Sequence, residues 1–148
     1  MYNVQPEVLE RFIAAQDGSY PYALAELHAG RKRTHWMWFI FPQFNGLGSS
    51  AMSRRYAVTD LAEARAYLAH PVLGPRLREC AEALLQIRGR SAREILGSPD
   101  DLKLRSSATL FAQVSAEGSV FHRVLAQYFG GEPDPRTLRL LGGGSARP

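Results

Sequence analysis

Apolar residues recur along most of this chain at three- and four-residue spacings, the period of an amphipathic helix. Val8, Leu9, Phe12 and Ile13 line one stripe over 6–16, and Asp17-Gly18 breaks it. A second helix is predicted over 19–29, with Ser19 as its cap, Leu24 and Leu27 inward, and Gly30 in the position of a C-terminal glycine. Residues 52–56 give a short helix capped by Ser50. Over 60–69, Asp60 and Glu63 have capping-box spacing, and Leu61, Ala64 and Leu68 share an inner face. Pro75 opens the next helix, whose stripe of Leu77, Cys80, Ala81, Leu84, Leu85 and Ile87 runs to Gly89. Ser91 and Glu94 form a second capping box, for a helix that stops at Gly97.

Ser98-Pro99-Asp100-Asp101 is the densest start signal. Ser98 caps, Pro99 takes the first helical position, and both aspartates favour the positive end of the dipole. That helix is predicted to run to Val114 and to bury Leu104, Ala108, Phe111 and Val114. Residues 120–129 follow, with Phe121, Val124, Leu125 and Phe129 inward. Asp134-Pro135 starts a last short helix through Leu141. Only 35–41 resists assignment, because a short continuously apolar run fits a buried helix or a strand equally well. Pro42 ends it either way. No internal repeat and no strand–helix alternation is present. The expected fold is all-α: a compact single-domain orthogonal helical bundle of about seven to nine helices over 1–141, then a flexible Gly-rich tail at 142–148.

Composition narrows the function classes. A chain of 148 residues suits one domain. It can bury roughly 70% of its unfolded surface, so it needs no disulfide or metal staple. The net charge of +4 is mild and dispersed, and no nucleic-acid reader motif occurs, which disfavours a nucleic-acid partner. Cys80, the single cysteine, cannot form an internal disulfide, so a reducing cytoplasm is expected. No apolar run approaches the roughly 20 residues that span a bilayer, so no membrane role is expected. His28, His35, His70 and His122 lack metal-ligand spacing; neither a metal nor any other cofactor is expected.

Two constellations carry candidate chemistry. In Arg31-Lys32-Arg33-Thr34-His35-Trp36-Met37-Trp38-Phe39-Ile40-Phe41-Pro42-Gln43, three cations run into both tryptophans of the protein. Arg31, Lys32 and Arg33 can hold phosphate oxygens, Trp36 or Trp38 can stack on a base, and Gln43 can add a polar contact. His35 beside this charge is expected to disfavour protonation and can accept or relay a proton. The same residues also read as ordinary core aromatics behind a solvated basic helix end. The second constellation is Asp100-Asp101-Leu102-Lys103-Leu104-Arg105-Ser106-Ser107. On a helix Asp101 can pair with Arg105 and Asp100 with Lys103. Alternatively Asp101 stabilises developing positive charge on a ribose carbon while Lys103, Arg105 and Ser106 hold a phosphate. Asp101, Lys103 and His35 are then the catalytic candidates. Adjacent Asp100 and Asp101 point about 100° apart, so a second carboxylate must come from elsewhere, Glu26 or Glu63 for instance. Ser49-Ser50 before Arg54, Arg55 and Tyr56 adds a weak anion-site signal that matches no phosphate-loop pattern.

These phrases, with Ala66-Tyr67-Leu68-Ala69-His70-Pro71-Val72-Leu73-Gly74-Pro75-Arg76-Leu77 and Tyr128-Phe129-Gly130-Gly131, resemble the bacterial domain of unknown function 1810 family from about Val8 to Leu141. The resemblance implies a compact, mainly α-helical fold and no established activity. The label "calpastatin" that members often carry fits poorly, since caps and apolar stripes are the opposite of a disorder signature. A weaker likeness to the NADAR superfamily implies a link to ADP-ribose derivatives and N-glycosidic cleavage, with no residue transferable by motif. Two readings stand. One is a pocket for a phosphorylated, ring-bearing metabolite of the ADP-ribose or nucleotide kind, with hydrolysis of an N-glycosidic bond as its chemistry. The other is a non-enzymatic module whose basic surface, Arg31–Arg33 with Arg54 and Arg55, docks an acidic protein.

Overall fold

The computed structural model describes residues 6–142, and the predicted tail from 143 onward lies outside them. Ten helices occur among the described residues: α1 (Pro6–Gln16), α2 (Tyr20–His28), α3 (Met37–Ile40), α4 (Ala51–Arg55), α5 (Leu61–Ala69), α6 (Leu73–Gln86), α7 (Ala92–Leu96), α8 (Asp100–Ala112), α9 (Val120–Phe129) and α10 (Pro135–Leu141). No strand ladder forms among them. A single parallel bridge joins Phe44 to Val58. The tenth helix is α3, a single turn within the segment that periodicity left undecided.

Helix starts follow the side chains that can satisfy their free N–H groups. Ser50, Asp60, Ser119 and Asp134 each accept from the backbone N–H three residues on. Ser91 and Glu94 close both halves of their capping box. Three expected starts differ. Ser19 makes no capping bond, because it already has helical dihedrals. α6 begins at Leu73, two residues before Pro75, since the His70 ring Nδ1 accepts from the N–H groups of Val72 (3.0 Å) and Leu73 (3.3 Å). α8 begins at Asp100, with Pro99 rather than Ser98 at the capping position and no side chain capping it. Its far end stops at Ala112. Gln113 and Val114 then bond three residues back in tighter turns, which leaves Val114 half-buried.

α6 and α8 organise the interior. α6 packs on α2, α3, α5 and α9; α8 packs on α5, α7, α9 and α10. An aromatic chain links the layers. Phe12 meets Tyr67 edge-on at 5.1 Å between ring centres, Tyr67 meets Phe111 at 5.4 Å, and Phe111 meets Phe121 at 5.6 Å. Such pairs add about 0.5–1.5 kcal/mol each beyond the area they bury. Gln16 is one of the polar side chains buried in this interior. Its amide donates to the Phe39 carbonyl (2.8 Å) and the Tyr67 hydroxyl (3.0 Å), so α1 is tied to both α3 and α5. Gly74 is required where α6 crosses α5: a Cβ there would lie 2.1 Å from the Leu68 carbonyl oxygen.

Candidate functional site

The basic segment is positioned by one carboxylate. Glu26 on α2 accepts from the N–H groups of Arg33 (2.7 Å) and Thr34 (3.0 Å), the Thr34 hydroxyl (2.7 Å) and the Trp36 indole N–H (2.8 Å). Partial burial pushes its pKa up, but these four donors outweigh that and hold the carboxyl at about 2, against an ordinary 4.5. The backbone N–H of Lys32 donates to the Ile95 carbonyl at 2.7 Å, which pins the same segment to α7. Arg31 and Arg33 therefore project into solvent, while Lys32 folds inward over the Trp36 ring, 5.3 Å from its centre.

Trp36 is the non-helical capping residue of α3 and Trp38 lies within its single turn, and their surroundings differ. Trp36 is 1% exposed, in the core. Trp38 is half-buried and packs one side against that core. Its other surroundings are set by the start of α8. Lys103 places its ammonium 3.6 Å from the Trp38 ring centre. Asp100 holds that ammonium at 3.2 Å with one oxygen and the Lys32 ammonium at 3.1 Å with the other. The two constellations meet through this Lys32–Asp100–Lys103–Trp38 chain.

They meet beside a cleft of about 380 Å³. Trp38 and Gln43 form one wall, Lys103, Arg105 and Ser106 of α8 another, and Asp134 and Arg136 at the start of α10 a third, with Leu47 and Gly48 at the rim. The Gln43 wall is set by the bridge to Val58, whose N–H donates to the Gln43 carbonyl at 2.9 Å. Arg105 is steadied by Glu132, through its Nε to the carbonyl (3.0 Å) and more loosely to the carboxylate (3.7 Å). Asp134 accepts from the Thr137 hydroxyl (2.6 Å), the Thr137 N–H (3.1 Å) and the Ser106 hydroxyl (3.3 Å). Arg136 reaches the carbonyls of Gly46 and Leu47 at 3.4 Å, so α10 braces the rim loop.

Of the sequence-predicted residues, Trp38, Gln43, Lys103, Arg105 and Ser106 share this cleft, and Lys32 stands behind it through Asp100. The others do not reach it. Arg31, Arg33 and His35 are exposed outside it, and Trp36 is sealed in the core. Asp101 does not line it either. Its predicted pairing with Arg105 is not formed, and its Oδ1 is buried without a partner near the positive end of α8. The suggested second carboxylates are structural. Glu26 is consumed by the loop, and Glu63 accepts from the Thr59 N–H and hydroxyl (both 2.8 Å) and pairs with Arg11 at 3.0 Å. Of the predicted basic surface, Lys32 turns inward with its N–H tied to α7, and the Arg55 carbonyl accepts from Arg11 of α1 at 2.7 Å.

Sequence reasoning missed Asp134 and Arg136. Both were read only as part of a helix start. One signal was available: Ser106, Ser107 and Thr109 are hydroxyls on buried positions of α8 and needed partners. Thr109 accepts from the Asp134 N–H at 2.8 Å, and that bond docks α10 onto α8.

A larger hollow of about 580 Å³ lies at the opposite end of α8, lined by Arg65, Arg78 and Arg123. Arg123 is paired with Glu82 at 2.8 Å, and Arg78 donates to the Leu68 carbonyl at 3.3 Å. The one ring along its wall, Phe121, is 3% exposed. That hollow therefore offers no stacking surface. Among the described residues, no three His, Cys, Asp or Glu side chains gather to hold a metal ion, and no helix is long and apolar enough to cross a membrane. Burial pushes the Cys80 thiol up to about 12, which leaves it unreactive.

An all-helical fold built on α6 and α8, with a cationic cleft walled by one tryptophan at one end of α8, defines the class of domain. The chain belongs to the family described as "Protein of unknown function (DUF1810)", which it matches over residues 6–141. The conserved hypothetical protein Rv1873 from Mycobacterium tuberculosis has a similar crystal structure. The two are 53% identical, with a TM-score of 0.90, over 93% of this chain and 99% of that one. No curated protein matches.

Proposed function

We propose that the cleft between α3, α8 and α10 binds a phosphorylated ligand carrying a flat ring, of the nucleotide or ADP-ribose class. The observation that carries this reading is the convergence of Lys103, Arg105 and Arg136 with Trp38 around one hollow. Two guanidinium forks and an ammonium suit phosphate oxygens, and an indole suits a base. At about 380 Å³ the hollow is at the small end of the about 300–1,000 Å³ typical of ligand sites. That volume suits a ring with one phosphate, and the remainder of an ADP-ribose would extend into solvent. The protein acts in the reducing cytoplasm on this reading, in keeping with its single buried thiol.

The reaction that fits such a site is hydrolysis of an N-glycosidic bond. Water adds its oxygen to the ribose carbon and the carbon–nitrogen bond breaks; the proton that water loses goes to the departing base or, where the base leaves neutral as nicotinamide does from NAD, to solvent. Asp134, not Asp101, is the carboxylate in the cleft wall that can face positive charge developing on the ribose. Calorimetry with AMP, ADP-ribose and NAD tests the binding, and chromatography for released base tests the reaction. Saturable binding that is lost in Arg105→Ala and Arg136→Ala is expected. No binding to the folded protein at millimolar ligand would overturn the proposal.

A further inference from the structure

We infer that Lys103 makes this cleft select phosphorylated rings over the same rings without phosphate. The inference rests on the ligand class proposed above and adds a mechanism for its specificity. Trp38 packs one side against the core, and the Lys103 ammonium lies 3.6 Å from the centre of its ring. Lys103 and Trp38 both line the cleft, so the ammonium covers the surface on which an incoming ring must stack. A ring can dock only by displacing it.

Displacement has different consequences for two kinds of ligand. A neutral ring removes the cation–π contact and offers the ammonium nothing in return. A ring that carries phosphate takes the platform and at the same time supplies a partner for the displaced charge. The carboxylate left behind is not orphaned: Asp100 keeps Lys32 on its other oxygen at 3.1 Å. Lys32, the middle cation of the basic run, thus serves as the reserve partner that frees Lys103 to move. Arg105 is held by Glu132 and Arg136 by the rim carbonyls, so Lys103 is the cleft cation whose position depends on whether the ring surface is filled.

The test titrates the wild type, Lys103→Met, Lys103→Gln and Lys103→Arg with AMP and with adenosine, following Trp38 by fluorescence or NMR. The wild type should bind AMP at least about tenfold tighter than adenosine. Lys103→Met and Lys103→Gln should bring the two ligands within about threefold, with adenosine binding more tightly than it does to the wild type. Lys103→Arg, which keeps a cation able to cover the ring, should retain the preference. Two neutral variants guard against one that fails to fold, and a circular dichroism melt identifies such a variant. An AMP-to-adenosine ratio unchanged in the folded neutral variants overturns this inference and leaves the binding site standing. A wild type that binds neither ligand removes the site itself.

Discussion

Trp36 and Trp38 stand two residues apart and do opposite work. The indole of Trp36 is enclosed, with its N–H on Glu26 at 2.8 Å and the Lys32 ammonium 5.3 Å from its ring centre. Trp38 sits on a cleft wall under an ammonium that is held by one bond to Asp100. The first environment is over-determined, because four donors converge on a single carboxylate. In the second, Asp100 keeps Lys32 as a partner if Lys103 moves away. Under the proposed function, the rigid anchor at Trp36 fixes the turn that carries the Trp38 stacking surface.

The contrast can be broken in order of decreasing effect. Trp36→Ala should cost about 3–5 kcal/mol in chemical denaturation, the range for deleting a large buried aromatic. A loss under about 1 kcal/mol would mean that the indole is not a core anchor. Glu26→Gln keeps the shape and removes the charge that four donors share, and should cost about 1–3 kcal/mol. It should also alter the acid limb of stability. Because folding lowers the Glu26 pKa from 4.5 to about 2, its contribution is complete above pH 4.5 and fades as pH falls toward 2. Between those values the wild type should lose its advantage over Glu26→Gln, so a constant gap would contradict the assigned role. Trp38→Ala should destabilise much less than Trp36→Ala but weaken AMP binding by about 1–3 kcal/mol, the usual worth of a base–aromatic stack. Arg31→Ala with Arg33→Ala should change stability by no more than about 0.5 kcal/mol and leave AMP affinity unaltered, since both side chains lie outside the cleft.

Most of the fold was legible because helix caps are local chemistry. Ser50, Asp60, Ser91 and Asp134 sit where their side chains reach a free N–H, and the spacing that shows this spans only three residues. The start of α6 was misplaced because a histidine ring did the capping, an interaction with no compact sequence signature. Half of the cleft was legible for a different reason. The Lys103–Arg105–Ser106 and Trp38–Gln43 groups each carry unusual chemistry within a few residues. What brings them together, and adds Asp134 and Arg136, is the docking of α10 on α8 through Thr109, which joins residues 25 apart in the chain. The three-cation run misled for a similar reason. Nothing local says that Lys32 turns inward to Asp100, 68 positions later, while its neighbours point out.

The most direct test follows the two indole N–H resonances while AMP is titrated into 15N-labelled protein. The account predicts that the Trp38 signal shifts saturably and that the Trp36 signal, fixed on Glu26, stays in place. Both signals unmoved at millimolar AMP, or movement confined to Trp36, would contradict it.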